Sequence, residues 1–230
     1  MKLLLIADKE ERALWDDWNA QTAERLSDVE LILSAGDLDA DYLEFLVTML
    51  NVPLVYVRGN HDGSYDEDPP EGCVDADGRV VDVECDSGSL RILGLGGSMR
   101  YNDRGSDMYT EEEMRRRARL AERGLLKAKL SDAVLPGRAR RAAGTGRAFD
   151  ILLTHAPCRG YGDMEDFPHM GFECFGQLME KHRPAMHVYG HVHAEYGADR
   201  GKPAGGFSRE TEHPSGTRLI NANGHYIIEI

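Results

Sequence analysis

A chain of 230 residues, 41% apolar and 29% charged, is long enough to bury a sizeable core and reads as a soluble globular protein. Its net charge of −13 excludes the broad basic face that non-specific nucleic-acid binding needs. It leaves room for a phosphorylated small molecule, because metal ions and local arginines can reverse the field inside one cleft.

No apolar run in the sequence approaches the length that crosses a bilayer. The opening Met1–Ala7 is followed at once by Asp8-Lys9-Glu10-Glu11, so it reads as a first strand rather than a signal peptide. One domain over 1–230 and a cytoplasmic location are the expectations. Cys73, Cys85, Cys158 and Cys174 form no C-x-x-C pair and are expected as free thiols.

After the first strand, Lys2 to Ala7, the stretch Glu11 to Leu26 carries Leu14, Trp15, Trp18 and Leu26 and predicts a helix, with Gln21-Thr22 weakening its continuity. Leu31 to Ala35 predicts a second strand ending at Gly36-Asp37. Asp39-Ala40-Asp41 offers a cap for a helix through Leu50, and Pro53 precedes a third strand, Leu54 to Arg58. This β-α-β-α-β order implies parallel strands with right-handed crossovers. Ser64 to Gly72, with Pro69-Pro70, is a loop. Arg79 to Glu84 and Leu90 to Leu95 predict an antiparallel pair, so the sheets are expected to be mixed.

Thr110-Glu111-Glu112-Glu113 has the form of a capping box and opens a charged helix to about Leu130. Arg115-Arg116-Arg117 would spread around that helix as a solvated face. Pro136 to Arg147 reads as a surface connection. Phe149 to Thr154 predicts a strand, Gly171 to His182 an amphipathic helix, and Met186 to Tyr189 another strand. Gly197 to Gly216 is a loop or long hairpin. Leu219 to Asn221 and Tyr226 to Ile230 flank Asn223-Gly224, the signal of a type I′ hairpin.

Five strand-like runs stop at metal-ligand types of residue. They end at Asp8, at Gly36-Asp37, at Gly59-Asn60-His61-Asp62, at His155 and at Gly190-His191-Val192-His193. A loop at the C-terminal end of a strand is where an α/β sheet presents such groups. Taken in this order, the set resembles the calcineurin-like metallophosphoesterase superfamily, from Asp8 to His193. Glu10 departs from that pattern, standing where the family usually has a metal-binding histidine.

The resemblance implies a four-layer α/β/β/α sandwich with two mixed β-sheets and a site on loops at one edge. It implies two divalent metal ions. Asp37 would bridge them, Asn60, His155 and His191 would complete one site, and Asp8 and His193 would serve the other with whatever position 10 supplies. Mixed oxygen and nitrogen ligands suit Mn, Fe or Zn. His61 would protonate the leaving alkoxide or orient the phosphate, and Asp62 would hold its ring. The implied activity is hydrolysis of a phosphomonoester or phosphodiester by a metal-activated hydroxide, with a small phosphorylated molecule as partner; no membrane is expected, and the acidic balance argues against nucleic acid. A metal-dependent nuclease, disfavoured by the acidic balance, and a catalytically weak binding module on the same scaffold are the alternatives.

Residues 8 and 10 lie two apart at a strand's end, so their side chains share a face. Three states are open for Glu10: direct metal ligation, ligation through a water, or solvation with a weak first site. Repulsion among Asp8, Glu10 and Asp37 favours ligation. The segments 98–103, 159–169 and 197–216 are the candidate rim. His169, His182, His187, His213 and His225 are read as structural or surface residues.

Overall fold

The computed structural model describes residues 1–102, 105–134, 147–193 and 208–230. Strands β1 (Lys2–Ala7), β2 (Val29–Ser34) and β3 (Leu54–Tyr56) lie parallel and in that spatial order, connected through helices α1 (Ala20–Leu26) and α2 (Ala40–Leu50). β4 (Val74–Asp75) adds to the β3 edge. The other sheet is built from β5 (Val80–Cys85) and β6 (Gly88–Leu95), then β9 (Ile151–Thr154), β10 (Met186–Tyr189), β11 (Glu210–Glu212) and β12 (Arg218–Asn221). In it, β6, β9, β10 and β12 run parallel, with antiparallel β5 and β11 at the edges. A short parallel pair, β7 (Ser98–Met99) and β8 (Met108–Tyr109), leads into α3 (Glu111–Val134).

The side-chain period of two builds the layers. Leu3 and Leu5 of β1, Leu31 and Leu33 of β2 and Val55 of β3 meet Ile92, Ile151, Leu153, Val188 and Ile220 of the second sheet. The alternate residues Leu4, Ile6 and Ile32 pack outward on Leu14, Leu26, Leu43 and Leu46. On the far side Leu93, Leu95 and Leu152 meet Met114, Ala118 and Ala121 of α3, and Phe175 and Leu178 of α4 (Glu173–His182). The order is therefore helix, sheet, sheet, helix. Among the described residues no helix is long and apolar enough to cross a membrane.

Several expectations change here. The stretch 11–26 is not one helix: a turn at Arg12–Leu14 is followed by a restart at α1, where Asn19 Oδ1 accepts from the N–H groups of Gln21 (2.9 Å) and Thr22 (3.2 Å). A good N-cap inside a predicted helix begins a new one. Asn223-Gly224 does not close a hairpin. β12 lies in the second sheet beside β10, whereas β13 (Gly224–Glu229) pairs antiparallel with β1 in the first. Gly224 does take a positive φ of 72°, but the two flanking strands find their partners in different sheets. Arg117 is not part of a solvated face. Its guanidinium bonds Asp77 at 2.6 and 2.7 Å and lies 4.1 Å from the centre of the Tyr109 ring.

The capping box holds, with the Thr110 N–H donating to Glu113 Oε2 (2.8 Å) and the Glu113 N–H to Thr110 Oγ1 (3.3 Å). Cys73, Cys85, Cys158 and Cys174 are free thiols. The connection 136–147 falls almost wholly outside the described residues, as does most of 197–216.

His187 of β10 is fully buried. The Thr154 hydroxyl donates to the Ala156 carbonyl (2.6 Å), so it accepts from His187 Nε2–H (2.7 Å). The ring is then neutral, with Nδ1 unpartnered. Burial pushes its pKa from 6.5 down to about 3. The unfolded ring takes a proton below about 6.5 and the native ring does not, so acid favours unfolding across that window. His187→Phe, which keeps a ring against Phe175 and Tyr189, should flatten the loss of stability between pH 6.5 and 4 by on the order of 1–2 kcal/mol. Urea midpoints at stepped pH values measure it, and parallel curves for the two proteins would refute it.

Candidate metal centre

The C-terminal ends of β1, β2, β3, β9 and β10 come together at one edge of the two sheets. Asp8, Asp37 and His191 leave their strands with φ of 63°, 56° and 67°. Such conformations are uncommon for residues with a Cβ and cluster at functional sites. Two glycines allow the loops to close. A Cβ on Gly59 would stand 2.0 Å from Asp37 Oδ1, and one on Gly190 would stand 2.9 Å from Asp8 Oδ2.

His155 is the hub. Its Nδ1–H donates to the Ala35 carbonyl of the facing sheet's loop (2.8 Å), since a carbonyl only accepts. That places Nε2 3.2 Å from Asn60 Oδ1, 3.1 Å from His191 Nδ1 and 3.3 Å from Asp37 Oδ2. His191 Nε2–H donates in turn to the Pro168 carbonyl (2.8 Å), which turns His191 Nδ1 inward. The two rings thus aim nitrogens at one point that the Asp37 carboxylate and the Asn60 carbonyl also face. Asp37, His155 and His191 offer ligand atoms within 4.8 Å of one another. Convergent lone pairs with outward-bonded imidazoles fit a divalent cation, with the carbonyls fixing each ring's tautomer.

The charges agree. Burial opposes ionisation of Asp37, yet His155 and the His61 N–H, 2.8 Å from Asp37 Oδ1, hold its carboxyl well below the usual range. Burial likewise opposes a charge on His155, but Asp37 outweighs it and raises the ring to about 9. His191 is driven down to about 4 by burial and by His155.

The other expected residues sit around this group. Asp8 Oδ1 accepts the His191 N–H (2.7 Å) and Asp8 Oδ2 accepts from Asn223 Nδ2 (3.3 Å), with His193 Nε2 3.7 Å from Oδ1. Asp62 Oδ2 accepts the N–H groups of Gly59 (2.7 Å) and Asp37 (2.9 Å), tying two ligand loops together, and its pKa rises to about 6, chiefly through burial. The His61 side chain is exposed beside them. Glu10 is exposed, and its Oε1 accepts the Asp39 N–H (3.0 Å) at the start of α2.

Pro168 and His169, at the end of the expected rim segment 159–169, reach the site, and so do Asn221 and Asn223, which the sequence had not singled out. The His169 ring lies 5.3 Å from that of His191, and Asn221 Nδ2 donates to the Val192 carbonyl (2.8 Å). Asn221 carried the same signal as the ligands, a polar residue ending an apolar strand.

A family model described as calcineurin-like phosphoesterase matches residues 7–195. Over 50 residues the chain is 44% identical to the UPF0046 protein T07D4.2 of Caenorhabditis elegans, which is 21% of this chain and 13% of that protein. The match therefore spans only a small part of that relative. The crystal structure of TT1561 of Thermus thermophilus shares the fold at a TM-score of 0.53 and 15% identity, over 97% of this chain and 89% of its own. Another crystal structure does so at 0.56 and 13%, over 99% and 94%.

Two outcomes follow. Gly59→Ala should displace the Asp37 carboxylate and weaken metal binding at least tenfold while leaving the protein folded, and calorimetric metal titration with circular dichroism checks both. In the ion-free protein at pH 7 the proton of the Asp37–His155 pair sits on His155 Nε2, so binding an ion there must release it. About one proton should appear per ion at pH 7, and none once the pH has risen through about 9. Titrations in buffers of different ionisation enthalpy count those protons. A zero count at pH 7 would mean that the His155 ring is already neutral there.

Proposed function

Because the chain belongs to the calcineurin-like phosphoesterase family, we propose that it is a metal-dependent hydrolase of a small phosphomonoester or phosphodiester. The observation that carries the reading is the convergence of Asp37, Asn60, His155 and His191 on one point, with the exposed His61 beside it. These residues would hold one divalent ion, of the Mn, Fe or Zn type suited to oxygen and imidazole ligands. Asp8 and His193, with Glu10 directly or through a water, would hold a second, and Asp37 would serve both. When bound, such ions polarise a phosphate and lower the pKa of a water.

The chain's own residues do the rest. Asp37 neutralises the centre's positive charge, with the His61 N–H and Asp62 fixing its loop. The His61 imidazole is the group available to protonate a leaving alkoxide or to hold a phosphate oxygen. The Pro168 carbonyl keeps the His191 tautomer. An acidic protein suits a small substrate rather than a polyanion. One observation favours a second reading, a weakly active binding module: the Glu10 carboxylate is engaged by the Asp39 N–H.

The test is hydrolysis of nitrophenyl and alkyl phosphate esters with Mn²⁺ and then with chelator. Activity should vanish with chelator and return with metal. His61→Gln should keep metal content and slow alkyl esters by about 10²–10⁴-fold, and nitrophenyl esters much less. Equal losses on both would make His61 a phosphate-orienting residue. No metal-dependent hydrolysis of either ester by the wild type would leave the binding module.

A further inference from the structure

The chain crosses from the second sheet to the first at residues 221–223, and this crossing is fastened to both. The Ala222 N–H donates to the Tyr189 carbonyl at the end of β10 (2.7 Å), and Asn223 bridges to Ala7 at the end of β1. β10 leads into His191 and His193, and β1 leads into Asp8. The crossing therefore joins the two strand ends that carry Asp8 and His193, the candidate ligands of the second ion.

The turn itself is held in one shape. Asn221 Oδ1 accepts the Asn223 N–H (2.8 Å), an Asx turn. The Arg209 guanidinium, 5.1 Å from the centre of the Tyr226 ring, donates to the carbonyls of Asn221 (3.3 Å) and Asn223 (3.2 Å). From this frame two amide side chains reach the site loops. Asn221 Nδ2 donates to the Val192 carbonyl (2.8 Å), between His191 and His193. Asn223 Nδ2 lies 3.3 Å from Asp8 Oδ2, and because a carboxylate only accepts, the amide NH₂ is the group that faces it.

Asp8 is consequently set from two sides. Its side chain is buried, Oδ1 takes the His191 N–H (2.7 Å) and Oδ2 takes the Asn223 amide. Donors on different oxygens fix the plane of the carboxylate. A carboxylate offers about four lone-pair sites, more than these two donors use, so the group is oriented and still able to bind a cation. Among the described residues the side-chain bonds of Asn223 go to Asp8 and not to Asp37, Asn60 or His155.

On the phosphoesterase reading above, with a second ion held by Asp8 and His193, we propose that Asn223 is the positioning residue of that ion's site. Its amide orients the Asp8 carboxylate, and the Asn221 side chain and Arg209 keep the amide in place. Asn223 acts through Asp8 alone, so its effect falls on one ion of the two.

The experiment titrates Mn²⁺ alone into the ion-free full chain, by calorimetry and by electron paramagnetic resonance. The wild type should take up two ions. Asn223→Ala keeps the backbone bonds to Asn221 and Arg209 and removes only the amide, and circular dichroism checks that it folds. It should weaken one ion about 10–100-fold, the usual loss when a group that orients a metal ligand is removed, and leave the other at wild-type affinity. At a loading that fills the wild type, the spectrum of a coupled Mn²⁺ pair should give way to that of single ions. Asn223→Gln, which keeps the amide on a longer stem, should recover part of the loss. In a His193→Ala background, where the same ion is already weakened, adding Asn223→Ala should leave the remaining ion unchanged. Wild-type affinity for both ions in Asn223→Ala would overturn the assignment and leave the two-ion reading standing. Equal weakening of both ions would also overturn it, because Asn223 would then support the loops in general. A wild type that takes up only one Mn²⁺ would remove the Asp8–His193 site from the phosphoesterase reading, and this assignment with it.

Discussion

The contact between His155 and the loop of the facing sheet is the constraint on which the site rests. His155 ends β9 in one sheet, and its Nδ1–H reaches the Ala35 carbonyl at the end of β2 in the other. That bond fixes the tautomer, and the tautomer fixes what Nε2 can do. It also fixes the separation of two sheets whose strand ends carry all the remaining ligand candidates. Asp37, two residues after Ala35, cannot move far without stretching the same connection.

The centre holds charge that burial alone would refuse. Asp37 and His155 each lose hydration, and each is kept ionised by the other in the ion-free protein. A divalent ion bound there would replace that internal compensation with a stronger one, as cations do at sites of converging carboxylate and imidazole. The strained backbone at Asp8, Asp37 and His191 belongs to the same arrangement. Positive φ turns each strand end sharply enough to bring its side chain back over the sheet edge, and the bonds among these residues hold the cost in place. Asp8 shows this most clearly: its carboxylate takes the backbone N–H of His191, 183 residues away.

Around this hub the polar contacts are layered by distance from the point where His155, His191, Asp37 and Asn60 converge. Asp62 ties Gly59 to Asp37, and Pro168 holds His191. Asn223 reaches Asp8, and Asn221 reaches the Val192 carbonyl between the two loop histidines. Glu10 joins the β1 loop to the start of α2 through the Asp39 N–H, so it sits in the scaffold of the Asp37 loop. The same side-chain class, a short carboxylate or amide at a strand end, serves as ligand candidate and as loop tie, and position alone separates the two uses.

Much of the site was legible in the sequence because ligand types recur at the ends of apolar strands, and parallel strands carry their C-terminal ends to one edge. The layered architecture came with the family resemblance, whereas Asp8, Asp37, Asn60, His155, His191 and His193 stood out as candidates for that reason, as did the antiparallel pair β5–β6 and the capping box at Thr110. These are local signals, written in a period of two, a cap or a turn residue. Only the tertiary structure decided that Asn223-Gly224 passes between sheets and that Arg117 folds onto Asp77 and Tyr109. It alone placed Glu10 on Asp39 and brought Pro168 and His169 onto His191. Each of these depends on which sheet edge is open, or on a partner far along the chain. A hydrogen bond between distant residues leaves no periodic trace in either one's neighbourhood, so the sequence names the donors and acceptors and the packing of the sheets chooses the pairs.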